Sequence, residues 1–293
     1  TGAVVSGVEE VTEWLPSHRA DHKLYTRLFK STAQPPLATL TLVHGIGEHV
    51  DRYESVARSF ARSGIQVLCF DQQGFGKTGH RNGNLGDNGG PNCVIEDIAL
   101  MNKHASIQGV PHFLFGHSMG GLNALRYCLE RNHDGHVRGV VASAPALLPG
   151  KTITPPKLLV FLLKQVVKVA PGMTKKTDIT MDMMTSNKEE VERFNASKYN
   201  LDYSTLRTLN TIVTAGEEVS RRAPEFSTPV FLVHGEGDQI TDCEATCKFF
   251  EGLPEGLDKD IRVIEGCNYH EIHFEQDLGF DLFDAYQTWI IRR

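Results

Sequence analysis

The chain has 293 residues, 40% hydrophobic and 23% charged, a globular composition long enough for one large domain or two small ones. Its formal net charge is −6 and its basic residues are scattered, which excludes the concentrated basic face of a nucleic-acid binder. The longest apolar run, Leu158–Leu163, is far too short to span a bilayer.

In chain order, the opening TGAVVSG lacks a signal-peptide pattern and is left outside the fold. Val8–Leu15 is a weak strand candidate, followed by Leu24–Phe29 and Ala38–Val43. A helix is expected over Asp51–Arg62, a strand over Gln66–Phe70, and a helix over Cys93–Ile107. His112–Phe115, Met119–Glu130 and Arg138–Ala142 then read as strand, helix, strand. Several strands are unbroken Val/Leu/Phe runs, as in parallel strands covered on both faces. Between about Ala146 and Pro229 no strand run occurs, and helices are expected around Lys188–Phe194 and Leu206–Arg221. The rhythm resumes with strand Pro229–Val233, helix Cys243–Glu251, strand Ile261–Ile264 and helix Gln276–Ile291. The expected class is therefore α/β, with a helical insertion between two core strands. The implied division is core 1–147, helical insertion 148–226 and core 227–293.

The strongest chemical signal is FLFGHSMGG, residues 113–121, which holds Gly116-His-Ser118-Met-Gly120 between an apolar run and a helical pattern. A G-x-S-x-G in strand–turn–helix context is a nucleophile elbow, with the serine exposed above the sheet edge at a sharp turn. Small residues flank Ser118, and the helix that follows offers N–H groups to a developing oxyanion. One oxyanion donor would be the Met119 N–H. The other is expected from the loop after Ala38–Val43, at Ile46, where His44-Gly45 permits close backbone approach. His44 itself reads as a structural histidine. An acid should follow the insertion, and His234-Gly-Glu-Gly-Asp238-Gln-Ile-Thr-Asp242 offers three carboxylates. Turn position favours Asp238, Asp242 suits a helix cap, and Glu236 suits solvent. His270, in the loop after Ile261–Ile264, would supply the base, with His273 a structural neighbour.

Three rival signals are set aside. Gly74-Phe-Gly76-Lys-Thr-Gly79 matches G-x-G-x-x-G, but turn-forming HRNGNLGDNGGPN follows where a helix is required. The histidine pairs His18/His22, His133/His136 and His270/His273 lack a third ligand at motif spacing, so no metal is expected. The cysteines Cys69, Cys93, Cys128, Cys243, Cys247 and Cys267 contain no CxxC and read as mostly buried thiols.

These stretches together resemble the monoacylglycerol (monoglyceride) lipase family of the α/β-hydrolase superfamily. The carriers are His44-Gly-Ile-Gly-Glu-His49 with Arg52-Tyr53, Phe70-Asp71-Gln-Gln-Gly-Phe-Gly-Lys-Thr-Gly79, Gly116-His-Ser-Met-Gly-Gly121, His234-Gly-Glu-Gly-Asp238 and Tyr269-His-Glu-Ile272. They span nearly the whole chain in family order.

The resemblance implies an α/β-hydrolase fold with a central, mostly parallel eight-stranded sheet and an inserted helical cap with an apolar lid. It implies Ser118 as nucleophile, Asp238 as acid, His270 as base and Ile46 and Met119 as oxyanion donors. Glu48, His49 and Arg52 would form a network behind the oxyanion loop, and GFGKTG would be an ordinary loop. Two departures stand out: Gln73 replaces the family's usual arginine, and NGNLGDNGG could alter the rim of the site. The lid would be Pro155–Lys168, apolar at first and then amphipathic. The expected activity is hydrolysis of monoacylglycerols to fatty acid and glycerol, with no cofactor and with transient contact to a membrane or lipid droplet through the cap. Free thiols suggest a cytoplasmic location. A soluble carboxylesterase, thioesterase or peptidase of the same fold is the alternative, and a non-catalytic ligand-binding member is a third reading.

Overall fold

The computed structural model describes residues 3–5, 7–154 and 164–293, with no side-chain account for 3–5 and Phe280. Eleven strands are present among them. They are β1 (Ala3–Val5), β2 (Val8–Pro16), β3 (Lys23–Phe29), β4 (Ala38–Val43), β5 (Ile65–Phe70), β6 (His112–His117), β7 (Val137–Ser143), β8 (Thr174–Lys176), β9 (Tyr203–Thr205), β10 (Val230–Gly235) and β11 (Lys259–Ile264). Nine form one sheet in the order β1-β2-β3-β5-β4-β6-β7-β10-β11. From β5 to β11 every pairing is parallel, and β1, β2 and β3 join antiparallel at one edge.

The eight expected strands are all there. The ninth, β1, comes from the opening segment that the sequence reading left out, and it pairs through Val5 and Val8 as a tight hairpin.

The central strands β4, β6 and β10 are buried at every position, which is why they read as continuous apolar runs. Their side chains alternate between two cores. Phe113 and Phe115 point to the face covered by α1 (Glu54–Arg62) and the C-terminal helix Gly279–Ile291, whereas Leu114 points to the opposite face. That face is covered by α3 (Pro91–Ala105), α4 (Met119–Arg131) and the helix Cys243–Gly252. Each fully buried phenylalanine contributes roughly 1.5–3 kcal/mol of apolar transfer. Parallel strands bring their carboxyl ends to one edge, so the loops after β4, β6, β10 and β11 share one side of the sheet.

The stretch between β7 and β10 carries, among its described residues, helices at Met181–Met184, Lys188–Ala196 and Leu206–Arg221. It also carries a two-stranded ribbon, β8 with β9, which the sequence reading did not expect. Each ribbon strand is only three residues long, too short to show a period-two pattern. Residues 164–169 are helical, and the remainder of the expected lid, 155–163, lies outside the described residues. Among the described residues no helix is long and apolar enough to cross a membrane.

Candidate active site

Strand β6 runs directly into Ser118, whose φ of 55° and ψ of −122° place it in the left-handed half of the backbone map. For a residue with a side chain this conformation costs about 1–3 kcal/mol and persists only where the surroundings enforce it. Here the Ser118 N–H donates to the Ser143 carbonyl at 2.9 Å, and its carbonyl accepts from Leu122 and Ala146 at 3.0 Å. A Cβ on Gly116 would lie 2.3 Å from the Gly120 oxygen, and one on Gly120 would lie 2.0 Å from the Val43 oxygen. Only glycine permits these backbone approaches. The elbow therefore presses against the end of β4.

The loop after β4 is correspondingly close. A Cβ on Gly45 would sit 3.2 Å from the Ser118 Cβ, and Ile46, Ser118 and Met119 line one cavity. His44 makes two hydrogen bonds: Nδ1 donates to the Gly45 carbonyl at 2.7 Å, and Nε2 accepts from the Gln72 N–H at 3.0 Å. Burial lowers its pKa, so the ring is neutral and fully used in holding the loop.

Asp238 and His270 come together from the ends of β10 and β11. The Asp238 Oδ2 lies 2.6 Å from His270 Nδ1, and Oδ1 accepts from the backbone N–H groups of Ile240 (2.8 Å) and Thr241 (3.1 Å). Oδ2 also accepts from the Thr241 hydroxyl at 2.8 Å and lies 3.2 Å from His234 Nε2. Burial opposes the Asp238 charge, but His270, His234 and these donors hold its pKa far below the carboxylate range. Burial likewise opposes a charged His270, yet Asp238 outweighs it, aided by Glu271 and Glu48, and its pKa is raised. His270 Nε2 has no hydrogen-bond partner among the described residues, and it shares with Ser118 the lining of a cavity of about 280 Å³.

The other carboxylates and histidines fall elsewhere. Asp242 caps the helix Cys243–Gly252 by accepting from the Glu244 N–H, and exposed Glu236 accepts from the Gly266 N–H. His273 lies in the short 3₁₀ turn Ile272–Phe274, packed between the rings of Tyr53, Phe274 and His117. Burial pushes its pKa well down, and both ring nitrogens lack partners among the described residues. It is enclosed by packed rings, whereas His270 lines a cavity together with Ser118.

Behind the loop lies a buried ion network. Glu48 Oε1 accepts from the Gly45 N–H at 2.6 Å and from the Tyr53 hydroxyl at 2.7 Å, and Oε2 accepts from Arg52 at 2.7 Å. Arg52 also forms a two-pronged pair with Glu271, which is fully buried. His49 sits beside this group and bonds the Ser197 hydroxyl at 2.8 Å. Sequence reasoning grouped Glu48, His49 and Arg52 but missed Glu271, whose partner lies 219 positions away. It also missed His234, although its place four positions before Asp238 is a signal for a shared acid.

The glycine-rich decoy needs a correction. A helix does open there, α2 (Gly76–Asn82), contrary to the expected run of turns. Its amino end is filled by a carboxylate of this chain: Asp71 Oδ2 accepts from the Lys77 N–H at 2.7 Å, and Oδ1 from Val50. A Cβ on Gly76 would lie 2.3 Å from Asp71. The anion position is taken, which leaves no room for a phosphate. Gln73 bonds Ser17 and His22, away from the serine. The segment NGNLGDNGG is tied to the helix Leu206–Arg221: the Gly86 carbonyl accepts from Thr208, and Asp87 pairs with Arg207 at 2.9 Å.

Two cavities open on Ser118. One of about 230 Å³ is almost wholly apolar, walled by Leu147, Leu148, Ile153, Leu209, Ile212 and Val213. The other, of about 280 Å³, mixes Met184 and Leu201 with Thr177, Thr180, Asn195 and His270. A parallel sheet with an elbow serine, a buried Asp–His pair and two flanking cavities defines an α/β-hydrolase.

The comparisons with known proteins agree. The family model Hydrolase_4, described as serine aminopeptidase, S33, matches residues 34–277. A putative monoglyceride lipase of Schizosaccharomyces pombe is 30% identical over 271 residues, covering 91% of this chain and 71% of that protein. An uncharacterized abhydrolase domain-containing protein of Dictyostelium discoideum is 33% identical over 82% of this chain, which spans a quarter of that much longer protein. The crystal structure of the Paleococcus ferrophilus monoacylglycerol lipase superposes with a TM-score of 0.80 at 28% identity, covering 92% of this chain and 98% of that one. The chain belongs to the Hydrolase_4 family and, within it, to the monoglyceride lipases of the α/β-hydrolase superfamily.

Proposed function

We propose that this chain hydrolyses monoacylglycerols to a fatty acid and glycerol through an acyl-enzyme on Ser118. The observation that carries the reading is the pair of cavities meeting at Ser118, one apolar enough for an acyl chain and one mixed enough for a small polyol. Relatives named monoglyceride lipases support the substrate class.

In this reading Ser118 Oγ attacks the ester carbonyl while His270 Nε2 takes its proton. Asp238 holds the imidazole by Nδ1 and stabilises the imidazolium that forms. The N–H groups of Ile46 and Met119 receive the oxyanion, each such donor being worth on the order of 10²–10³ in turnover. His270 then protonates the departing glycerol oxygen, and water activated by the same ring releases the acyl chain.

The division into core 1–147 and 227–293 with a cap at 148–226 belongs to the same proposal, as does cap contact with a membrane or lipid droplet. Val169 and Met173, 84% and 50% exposed beside Lys168, favour such a contact. A cytoplasmic location, peripheral to such lipid surfaces, fits this picture.

The test is a hydrolysis panel of mono-, di- and triacylglycerols of graded chain length, with short esters, thioesters and aminoacyl arylamides beside them and Ser118→Ala as blank. Medium or long monoacylglycerols should be cleaved fastest. Preference for short soluble esters or arylamides would replace this reading with the carboxylesterase or peptidase one.

A further inference from the structure

Glu271 follows the proposed base directly, and its side chain pairs with Arg52. Its carboxylate is fully buried and meets Arg52, with the second oxygen 2.8 Å from Nη2. Arg52 in turn holds Glu48, and Glu48 accepts the N–H of Gly45, the residue before Ile46. One chain of charge-assisted bonds thus runs from the residue after His270 to the residue before the proposed oxyanion donor. The guanidinium is enclosed as well, with the rings of Phe194 and Phe274 each 5.1 Å from its centre. The backbone of this stretch is tied down separately, since the N–H groups of His270 and Glu271 donate to the carbonyls of Met183 and Met184.

A planar guanidinium gripping two carboxylates fixes direction as well as distance. Resting on the assignment of Ser118, His270 and Ile46 made above, we propose that Glu271 is a positioning residue for the reaction. Through Arg52 and Glu48 it locks the base loop to the oxyanion loop. It also adds negative charge beside the imidazolium that forms on His270.

The groups that face His270 decide the sign of the electrostatic part. Asp238 and His234 approach from the end of β10, and His117 approaches from β6 with its ring 4.6 Å away. Glu48 and Arg52 lie on the oxyanion side, and Glu271 and His273 on the same segment. Two carboxylates against one guanidinium leave the network with an excess of negative charge. Removing the Glu271 charge therefore lowers the His270 pKa and shifts the acid limb of activity to lower pH.

The experiment compares wild type with Glu271→Gln, using a short soluble ester so that lipid interfaces play no part. Expected are a kcat lower by about tenfold or more, a KM within about twofold, and an acid limb of kcat/KM displaced to lower pH. A folded Glu271→Gln enzyme with wild-type kcat and an unmoved limb overturns the proposal. So does a loss of activity that follows lowered thermal stability with the limb in place. Because breaking one arm of this buried network could disturb folding, the triple variant Glu48→Gln, Arg52→Met and Glu271→Leu removes all three ions together, a replacement that cores often tolerate. It should fold and lose about tenfold in kcat, and wild-type turnover there also overturns the lock. Labelling of wild-type Ser118 by a serine-directed phosphonate is run alongside. No labelling rejects the underlying triad assignment, whereas normal labelling with unchanged Glu271→Gln kinetics rejects only this inference.

Discussion

The Asp238 Oδ2 atom serves His270 at 2.6 Å and Thr241 at 2.8 Å, with His234 at 3.2 Å, which leaves its carboxylate little freedom to turn. In the proposed mechanism a fixed Asp238 gives His270 one orientation, with Nδ1 protonated and Nε2 free to accept a proton. His273 has no such acid and packs among rings. His270→Ala should therefore lower ester turnover by about 10³-fold or more, whereas His273→Ala should keep turnover and lose stability. Loss of activity in His273→Ala at intact fold would reverse the assignment.

The same geometry sets the pH response. In the proposed mechanism His270 acts when neutral, and its pKa is raised above the ordinary 6.5, so kcat/KM should rise with pH through a midpoint above 6.5. The stability linkage has the matching sign. A raised His270 pKa contributes stability below its unfolded value and loses it as pH rises through the folded one. The depressed Asp238 contributes above the usual carboxylate range and loses its contribution as pH falls toward its folded value. A pH–rate profile set beside a pH–stability profile checks both.

At the scale of elements, the site depends on glycines that let α4 approach β4. A Cβ on Gly120 meets the Val43 and His44 carbonyl oxygens at 2.0 and 2.5 Å, and backbone cannot yield as a flexible side chain would. Gly120→Ala should cost about 1–3 kcal/mol in thermal or denaturant unfolding and turnover by more than about 10²-fold. The helix Leu206–Arg221 walls the apolar cavity through Leu209, Ile212 and Val213. Leu209→Trp should fill that space and reduce long-chain turnover by about tenfold or more, leaving short esters nearly unchanged. A chain-length series on the variant checks it.

These elements also show what a sequence can carry. β4, β6 and β10 were legible because total burial makes them apolar without interruption, and the elbow was legible because glycine is forced on both sides of Ser118. Helix α2 was hidden, since its residues favour turns and its first turn is held by Asp71, which follows the preceding strand. The β8–β9 ribbon was hidden by its brevity. Glu271 was hidden because an ion pair across 219 positions leaves no local pattern.

At the scale of the whole molecule, the sheet edge brings together residues from the first half of the chain and from its end, and described residues between β7 and β10 bond to both. Leu201 donates to the Gly47 carbonyl, Thr185 and Ser186 bond Glu275, and Asn187 bonds the Phe274 carbonyl. The segment between β7 and β10 is thus fastened to the loop after β4 and to the segment that carries His270. The chain's net charge of −6 gives no general attraction to anionic surfaces, so lipid contact would have to come from local apolar exposure such as Val169. Hydrolysis of a long-chain monoacylglycerol should then rise when the substrate is presented in vesicles or detergent micelles, while turnover of a short ester stays constant.

The most direct test of the account is the release of fatty acid and glycerol from a long-chain monoacylglycerol by wild type and by Ser118→Ala, with circular dichroism to establish that both are folded. The account predicts stoichiometric release by wild type and a loss of about 10³-fold or more in the variant. Equal release by a folded Ser118→Ala protein would contradict it.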